Sequence, residues 1–123
     1  MVLEAKWISA EKEAKAIASL LRRYGLSENS RVLEVGCGSG RILINLAKLG
    51  FQNLVGIDLS PIFIEYAERR AQEHGVDDRV EFVIGDAKRL SKVLDDRVFD
   101  TIMFVWASVI GYGTREDDVS ILR

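Results

Sequence analysis

The residues best suited to chemistry gather around a glycine-rich run. Gly36, Gly38 and Gly40 alternate with small residues, directly after an apolar segment that contains Glu34 and Val35. Glycines at such a place let the backbone turn sharply and bring a ligand against main-chain N–H groups. By itself the run could bind phosphate, bind a nucleoside or only turn the chain.

The spacing and charge of this run argue against a pyrophosphate ligand. A dinucleotide site usually shows G-x-G-x-x-G, whereas here the third glycine comes one residue early and Arg41 occupies the expected position. Glu34 stands two residues before the first glycine, where a carboxylate would repel a pyrophosphate and attract a cation. The run therefore indicates a positively charged ligand, although Glu34 could instead bind N–H groups of the loop.

Two more carboxylates follow apolar segments. Asp58 could accept both hydroxyls of a ribose, and Asp86 could accept an N–H of adenine. Each also has a purely structural interpretation, because Asp58 precedes the helix-starting pair Ser60 and Pro61, and Gly-Asp pairs are common in turns. Taken with the glycine run, the two aspartates indicate a nucleoside whose other end is cationic.

No residue is predicted to be catalytic. Cys37 is the only cysteine, and no flanking residue would lower its pKa, so we do not expect it to act as a nucleophile. A single cysteine also excludes an intrachain disulfide and a site of paired cysteines, and it favours a cytoplasmic location. No metal site is predicted.

Helices and strands are predicted to alternate along the chain. Helices are predicted at residues 10–24, capped by Ser9, and at 41–49, 60–74 and 90–94, with another beginning after residue 114. Nearly all-apolar strands are predicted at residues 32–35, 54–57, 80–84 and 99–105. This alternation predicts an α/β fold in which a doubly wound, mostly parallel sheet is covered on both faces. Ligands of such a sheet bind beyond the carboxyl ends of the strands, where the glycine run and both aspartates would lie.

Four motifs resemble those of the Rossmann-like (class I) S-adenosylmethionine-dependent methyltransferases. They are E-V-G-C-G-S-G at 34–40, G-I-D-L-S at 56–60, G-D-A at 85–87 and F-D-x-I at 99–102, and the resemblance covers residues 30–105. It implies a transferase activity, S-adenosyl-L-methionine as cofactor and four strands in the order 3-2-1-4. The family's sheet has seven strands, so the chain resembles the amino-terminal part of the domain.

The resemblance also implies the roles of individual residues. The cofactor-binding residues would be Glu34, Gly36, Cys37, Gly38, Gly40, Asp58, Leu59, Asp86, Ala87 and Phe104. The glycines would border the methionine part, and Glu34 would lie near its ammonium group. Leu59 would lie against the adenine face. Trp106 and Tyr112 could line an acceptor site, although aromatic residues beside a strand are core residues about as often.

Composition and motifs limit the acceptor and the partners. The chain has 17 Lys and Arg against 19 Asp and Glu, a net charge of -2, which argues against a nucleic-acid partner. The Asn/Asp-Pro-Pro-aromatic motif of the DNA amino-methylating enzymes is replaced by Val105-Trp106-Ala107-Ser108. We therefore expect a small-molecule acceptor. No segment approaches the run of apolar residues that a membrane span needs.

The chain is predicted to be a single cofactor-binding domain over residues 1–123. Residues 1–30 would be an amino-terminal helical segment, 31–105 the Rossmann-like core, and 106–123 a loop and the start of a helix. The fourth strand would then be an open edge without lysine or proline, which favours pairing with another chain. We expect either a homo-oligomer or a longer protein whose carboxyl-terminal half is missing here. The alternatives to a methyltransferase are a non-catalytic binding subunit and, less favoured, an NAD-dependent oxidoreductase.

Overall fold

A computed structural model describes residues 2–86, 98–105 and 119–122 of the chain. The helices are α1 (Val2–Arg23), α2 (Arg41–Lys48) and α3 (Pro61–Glu73). The strands are β1 (Arg31–Val35), β2 (Asn53–Asp58), β3 (Val80–Ile84), β4 (Thr101–Val105) and β5 (Val119–Leu122). The short helix predicted at 90–94 lies outside the described residues.

The strands form one sheet in the order β3-β2-β1-β4-β5. The pairings between β1, β2, β3 and β4 are all parallel, which confirms the predicted Rossmann-like arrangement in the order 3-2-1-4. The glycine run follows β1, Asp58 ends β2, and Asp86 follows β3. The topology therefore brings all three to the same edge of the sheet.

β5 corrects two predictions about the carboxyl-terminal segment. It runs antiparallel to β4, with Val105 opposite Val119 and Ile102 opposite Leu122. The expectation that a helix begins after residue 114 is wrong for residues 119–122, and β4 is not an open edge. A segment of four residues, three of them apolar, is too short for periodicity to separate helix from strand, so its pairing with β4 decides its structure.

The helix boundaries follow capping chemistry at α3 but not at α1. Ser60 caps α3, because its hydroxyl accepts a hydrogen bond from the Phe63 N–H at 3.2 Å, and Pro61 is the first helical residue. This confirms the prediction for α3. The predicted cap at Ser9 is wrong, since α1 begins at Val2 and Ser9 is an exposed residue within it.

The core lies on both faces of the sheet. All three described helices pack on one face, where their apolar side chains meet residues such as Val32, Leu54 and Met103. The opposite face carries a second buried cluster made of Leu33, Val35, Val55 and Ile57. Burying such side chains stabilises the fold by about 1.5–3 kcal/mol each. Within the described part of the chain, no helix is long and apolar enough to cross a membrane.

Candidate functional site

Backbone hydrogen bonds fasten the glycine loop between β1 and α2 to the end of β2. The N–H groups of Gly36 and Cys37 both donate to the carbonyl oxygen of Ile57, at 2.8 and 3.1 Å. The Gly40 N–H donates to the carbonyl oxygen of Cys37 at 3.0 Å, which closes the turn before α2. The loop is therefore held in one shape by its own backbone.

The three glycines have the same backbone preference but different surroundings. Their φ angles are 74° at Gly36, 58° at Gly38 and 80° at Gly40, all in the left-handed region that favours glycine. A Cβ atom at Gly40 would lie 2.7 Å from Cζ of Phe82 and 3.1 Å from Cβ of Ala67. A Cβ atom at Gly36 would meet no atom within 4 Å. Gly40 therefore allows α2, α3 and β3 to approach, whereas Gly36 leaves the main chain open to a ligand.

Asp58 joins the glycine loop to the start of α3. Its Oδ2 accepts a hydrogen bond from the Gly38 N–H at 2.9 Å, and its Oδ1 accepts one from the Ser60 N–H at 3.0 Å. Ser60, and not Asp58, is the cap of α3, so the structural role of Asp58 is to hold the turn before α3 and the glycine loop. A carboxylate offers about four lone-pair sites, so both oxygens can still accept hydrogen bonds from a ligand.

The ends of β2 and β3 are also tied together. The Gly85 N–H donates to the carbonyl oxygen of Asp58 at 2.9 Å, and Ile84 pairs with Asp58 in the sheet. Asp86 follows at once and is half-buried. Leu59 is 67% exposed and Ile84 is 53% exposed, so apolar side chains face solvent beside the aspartates. This edge offers the apolar surface and the acceptor groups that a nucleoside needs.

Glu34 is buried in the middle of this region. Its exposed fraction is 1%, and its neighbours across the sheet are Gly56 on β2 and Met103 on β4. Among the described residues, its Oε1 has no hydrogen-bond partner. Burial raises the pKa of Glu34 well above its ordinary value, and Arg41 opposes this shift. No described hydrogen bond supports the interpretation that Glu34 caps the loop, and its buried Oε1 could accept a hydrogen bond from a cationic group.

The environment of Cys37 disfavours the thiolate form of its side chain. The side chain is buried, and its Sγ occupies the space above Gly56, where a Cβ atom would lie 2.8 Å away. Burial raises the pKa of the thiol, as do the nearby charges of Glu34 and Asp58. Because only the thiolate is a good nucleophile, Cys37 packs the loop against β2 instead of reacting.

Of the other residues predicted for the site, the structure describes only Phe104. Phe104 lies on β4 opposite Val35 and packs against the second buried cluster, on the face of the sheet away from α1, α2 and α3. Ala87, Trp106 and Tyr112 lie outside the described residues. No cluster of potential metal ligands occurs in the part of the chain that the structure describes.

Two charged residues to which the sequence analysis gave no role in the site, Glu13 and Arg41, affect the charge of Glu34. Arg41 is half-buried and interacts electrostatically with both Glu13 and Glu34, and its Nε is buried without a hydrogen-bond partner among the described residues. Burial raises the pKa of Glu13. A signal for Glu13 exists in the sequence, since it lies between the buried residues Ala10 and Ala14 of α1.

Comparison with known proteins identifies the family. A family model described as a methyltransferase domain matches residues 26–113. The chain belongs to this methyltransferase family. The resemblance to the Rossmann-like S-adenosylmethionine-dependent methyltransferases is thereby confirmed.

Individual relatives of this methyltransferase domain agree. It is similar to the crystal structure of an S-adenosylmethionine-dependent methyltransferase from Thiobacillus denitrificans in complex with S-adenosyl-L-homocysteine, with 36% identity and a TM-score of 0.64. That match covers 84% of this chain and 39% of the other. The sterol 24-C-methyltransferase erg6 of Aspergillus fumigatus is 32% identical over 90 residues, 73% of this chain and 23% of that protein. The ribosomal protein L11 methyltransferase of Haemophilus influenzae is 38% identical over 50% of this chain, which spans 21% of that enzyme.

Proposed function

We propose that the chain binds S-adenosyl-L-methionine and that the protein transfers its methyl group to a small-molecule acceptor. The observation that carries this proposal is the buried Glu34 carboxyl, whose Oε1 has no described partner, in the strand that leads into the open loop at Gly36. The unpartnered oxygen can accept a hydrogen bond from an ammonium group, and an ionised carboxyl here would repel a pyrophosphate. The bound S-adenosyl-L-homocysteine of the Thiobacillus denitrificans relative supports the same choice.

The residues present fit this cofactor from end to end. Glu34 and the open main chain at Gly36 would hold the methionine part, and Asp58 would accept the ribose hydroxyls. Leu59 would cover one face of adenine, and Asp86 would accept from its edge. We keep the full set proposed from the sequence: Glu34, Gly36, Cys37, Gly38, Gly40, Asp58, Leu59, Asp86, Ala87 and Phe104.

Binding and alignment are what the protein must provide for this reaction. The bound cofactor supplies a methyl group on a sulfonium that is already a good leaving group, so no acid or base is required of the chain. The loop and Asp58 hold the cofactor's orientation, which would align the methyl group with an acceptor. We assign no catalytic residue.

The choice of a small-molecule acceptor rests on the chain's charge and motifs. Its net charge is -2, and it lacks the proline motif of the DNA amino-methylating enzymes after β4. Its relatives differ in acceptor, since their names refer to a sterol and to a ribosomal protein. Trp106 and Tyr112 remain our proposal for residues that line the acceptor site.

A non-catalytic binding subunit is the second candidate function. It requires only the cofactor-binding residues, and no catalytic residue is assigned to the chain. The chain spans 23% and 21% of the length of the two curated relatives described above. The NAD-dependent oxidoreductase has no such support, because the matching family is a methyltransferase family.

The organisation of the protein also remains a proposal. We keep a single cofactor-binding domain over residues 1–123 and a cytoplasmic location. A homo-oligomer or a longer protein is still proposed, although the β4 edge that was expected to pair with another chain pairs with β5. Light scattering at micromolar concentration tests it, and a monomer that binds cofactor at full strength would contradict it.

Calorimetry tests the cofactor, and methyl release tests the activity. We expect S-adenosyl-L-homocysteine to bind and NAD(H) not to bind. Tight binding of NAD(H) alone would overturn the proposal. Methyl release with candidate small acceptors then separates an enzyme from a non-catalytic binder, which would bind the cofactor and transfer nothing.

A further inference from the structure

The side chain of Cys37 fills a small space between the glycine loop and β2. A Cβ atom at Gly56, in the middle of β2, would lie 2.8 Å from Sγ and 2.9 Å from Cβ of Cys37, and 2.8 Å from Cδ1 of Leu43 on α2. Carbon atoms in contact are about 3.5–4.0 Å apart, so a side chain at Gly56 would compete with Cys37 for this space. The φ angle of Gly56 lies outside the left-handed region, so the space and not the backbone requires glycine there.

We propose that Cys37 is a positioning residue of the cofactor site. Seated on Gly56, its side chain sets how closely the glycine loop lies against the sheet, and it thereby places the Gly38 N–H and the open main chain at Gly36. The inference rests on the proposed function, because it takes this loop as the part that holds the methionine end of the cofactor. The thiol acts through the loop and needs no contact with the cofactor.

The main chain of Cys37 is bonded on both sides of the loop. Its N–H donates to the carbonyl oxygen of Ile57 at 3.1 Å, and its carbonyl oxygen accepts from the Gly40 N–H at 3.0 Å. Its Sγ lies 3.8 Å from the carbonyl oxygen of Gly38, to which the S–H can donate weakly. The backbone bonds determine where the loop joins β2 and turns into α2, and the side chain determines its height above Gly56.

Gly38 would respond first to a displacement of Cys37. It is the next residue in the chain, and its N–H donates to Oδ2 of Asp58 at 2.9 Å. A hydrogen bond weakens steeply as its geometry departs from the ideal, so a loop lifted from the sheet would loosen this bond. Asp58 and the loop would then lose their fixed relation, which raises the ordering cost of binding a cofactor that contacts both.

The size of the side chain at position 37 matters for this role. A larger side chain would push the loop outward, and removal of the side chain would leave a space into which the loop can shift. Serine has nearly the shape of cysteine and keeps a donor for the Gly38 carbonyl oxygen. We therefore expect Cys37→Ser to preserve the position of the loop and Cys37→Gly to lose it.

Hydrogen exchange at the Gly38 amide, followed by NMR on the full chain without cofactor, measures the position of the loop. We expect exchange to be about tenfold faster or more in Gly56→Ala and in Cys37→Gly, and close to the wild-type rate in Cys37→Ser. Cys37→Gly introduces no overlap, so it provides the test if Gly56→Ala does not fold.

Leu43→Val is the matched control, because Leu43 borders the same space from α2 and not from the loop. It should lower stability and leave exchange at Gly38 unchanged. Unchanged exchange in Gly56→Ala and Cys37→Gly, or an equal acceleration in Leu43→Val, would overturn the inference.

Calorimetry with S-adenosyl-L-homocysteine measures the effect on binding. We expect Gly56→Ala to weaken binding about tenfold or more. In the Cys37→Gly background, the new methyl group on β2 takes the space that the loop has vacated, so Gly56→Ala should weaken binding there by no more than about twofold. An effect of equal size in both backgrounds would overturn the inference and leave the proposed function standing. If the wild type binds no S-adenosyl-L-homocysteine, the proposed function fails, and exchange at Gly38 alone decides whether Cys37 places the loop.

Discussion

Replacing Asp58 by alanine is the most direct test of the cofactor site. The carboxylate accepts hydrogen bonds from the Gly38 and Ser60 N–H groups, at 2.9 and 3.0 Å, and is proposed to accept the ribose hydroxyls as well. A hydrogen bond to a charged group contributes about 1.5–3 kcal/mol, which corresponds to a roughly 10- to 150-fold loss of affinity. We expect Asp58→Ala to fall in the upper part of that range, since the loop also loses its tie to β2.

The stability of the variant separates the loss of the ligand contact from a loss of fold. Two backbone N–H groups lose their acceptor in Asp58→Ala, and because the site is only part-buried, water can replace some of what is lost. We expect the free energy of unfolding to fall by about 1–3 kcal/mol. Calorimetry with S-adenosyl-L-homocysteine is therefore carried out well below the melting temperature of the variant.

Asp100 offers a matched control at the opposite end of the strands, where β1 and β4 begin. Its Oδ2 accepts a hydrogen bond from the Arg31 N–H at 2.7 Å, and Arg31 is the first residue of β1. Asp100→Ala should lower stability by about 1 kcal/mol and leave cofactor affinity unchanged. If Asp58→Ala bound S-adenosyl-L-homocysteine as tightly as the wild type, or if Asp100→Ala weakened binding equally, the assignment of Asp58 would be refuted.

Four further substitutions and treatments test individual residues. Gly40→Ala should lower the free energy of unfolding by about 2–5 kcal/mol, measured by denaturant titration, since its Cβ would overlap Phe82 at a positive φ. Gly38→Val should abolish S-adenosyl-L-homocysteine binding in calorimetry while the circular dichroism spectrum is kept; wild-type affinity would show that the glycine is structural only. Cys37 should be alkylated at neutral pH only as fast as the protein unfolds, since burial raises the pKa of its thiol. Because the pKa of Glu34 is raised in the fold, the free energy of unfolding of the wild type should decline as pH rises above the ordinary value of 4.5. The Glu34→Gln variant should lack this decline. The same dependence of stability on pH in both proteins would contradict a raised pKa of Glu34.

Most of the parallel sheet was predictable from the sequence. Each of the first four strands is a short apolar run, and β3 has the predicted bounds at Val80–Ile84. The start of α3 was also predictable, because Ser60 and Pro61 act within a few residues of each other. Where local chemistry and the apolar pattern agree, the pattern determines the element.

Two elements were not predicted correctly, namely β5 and the start of α1. β5 is a strand because it pairs with β4, and its own four residues carry too little pattern to show it. The start of α1 at Val2 was missed because Ser9 is a good cap residue that here lies within a longer helix. At β5 the pairing between strands decides a structure that the local pattern leaves open. At α1 a residue suited to capping lies within the helix and gives a false start signal.

The same limit applies within the candidate site. Gly36 and Gly40 are equivalent in the sequence, and only the positions of Phe82 and Ala67 show that one of them is required for packing. The coupling of Glu13 to Arg41 depends on how α1 lies against α2, which no local motif encodes. The residue types of the site were predictable, but the structural role of each residue was not.

The two central carboxyl groups show why a structural role and ligand binding are not alternatives. Asp58 holds two N–H donors and so fixes the loop before any ligand arrives, which lowers the ordering cost of binding. Glu34 has an Oε1 without a described donor, and burial disfavours its charge. A bound ammonium group would supply the missing partner, so the group that is least satisfied in the free chain gains most on binding. The structural role of Asp58 thus provides a rigid loop, and the unsatisfied state of Glu34 provides a reason for a cation to bind beside it.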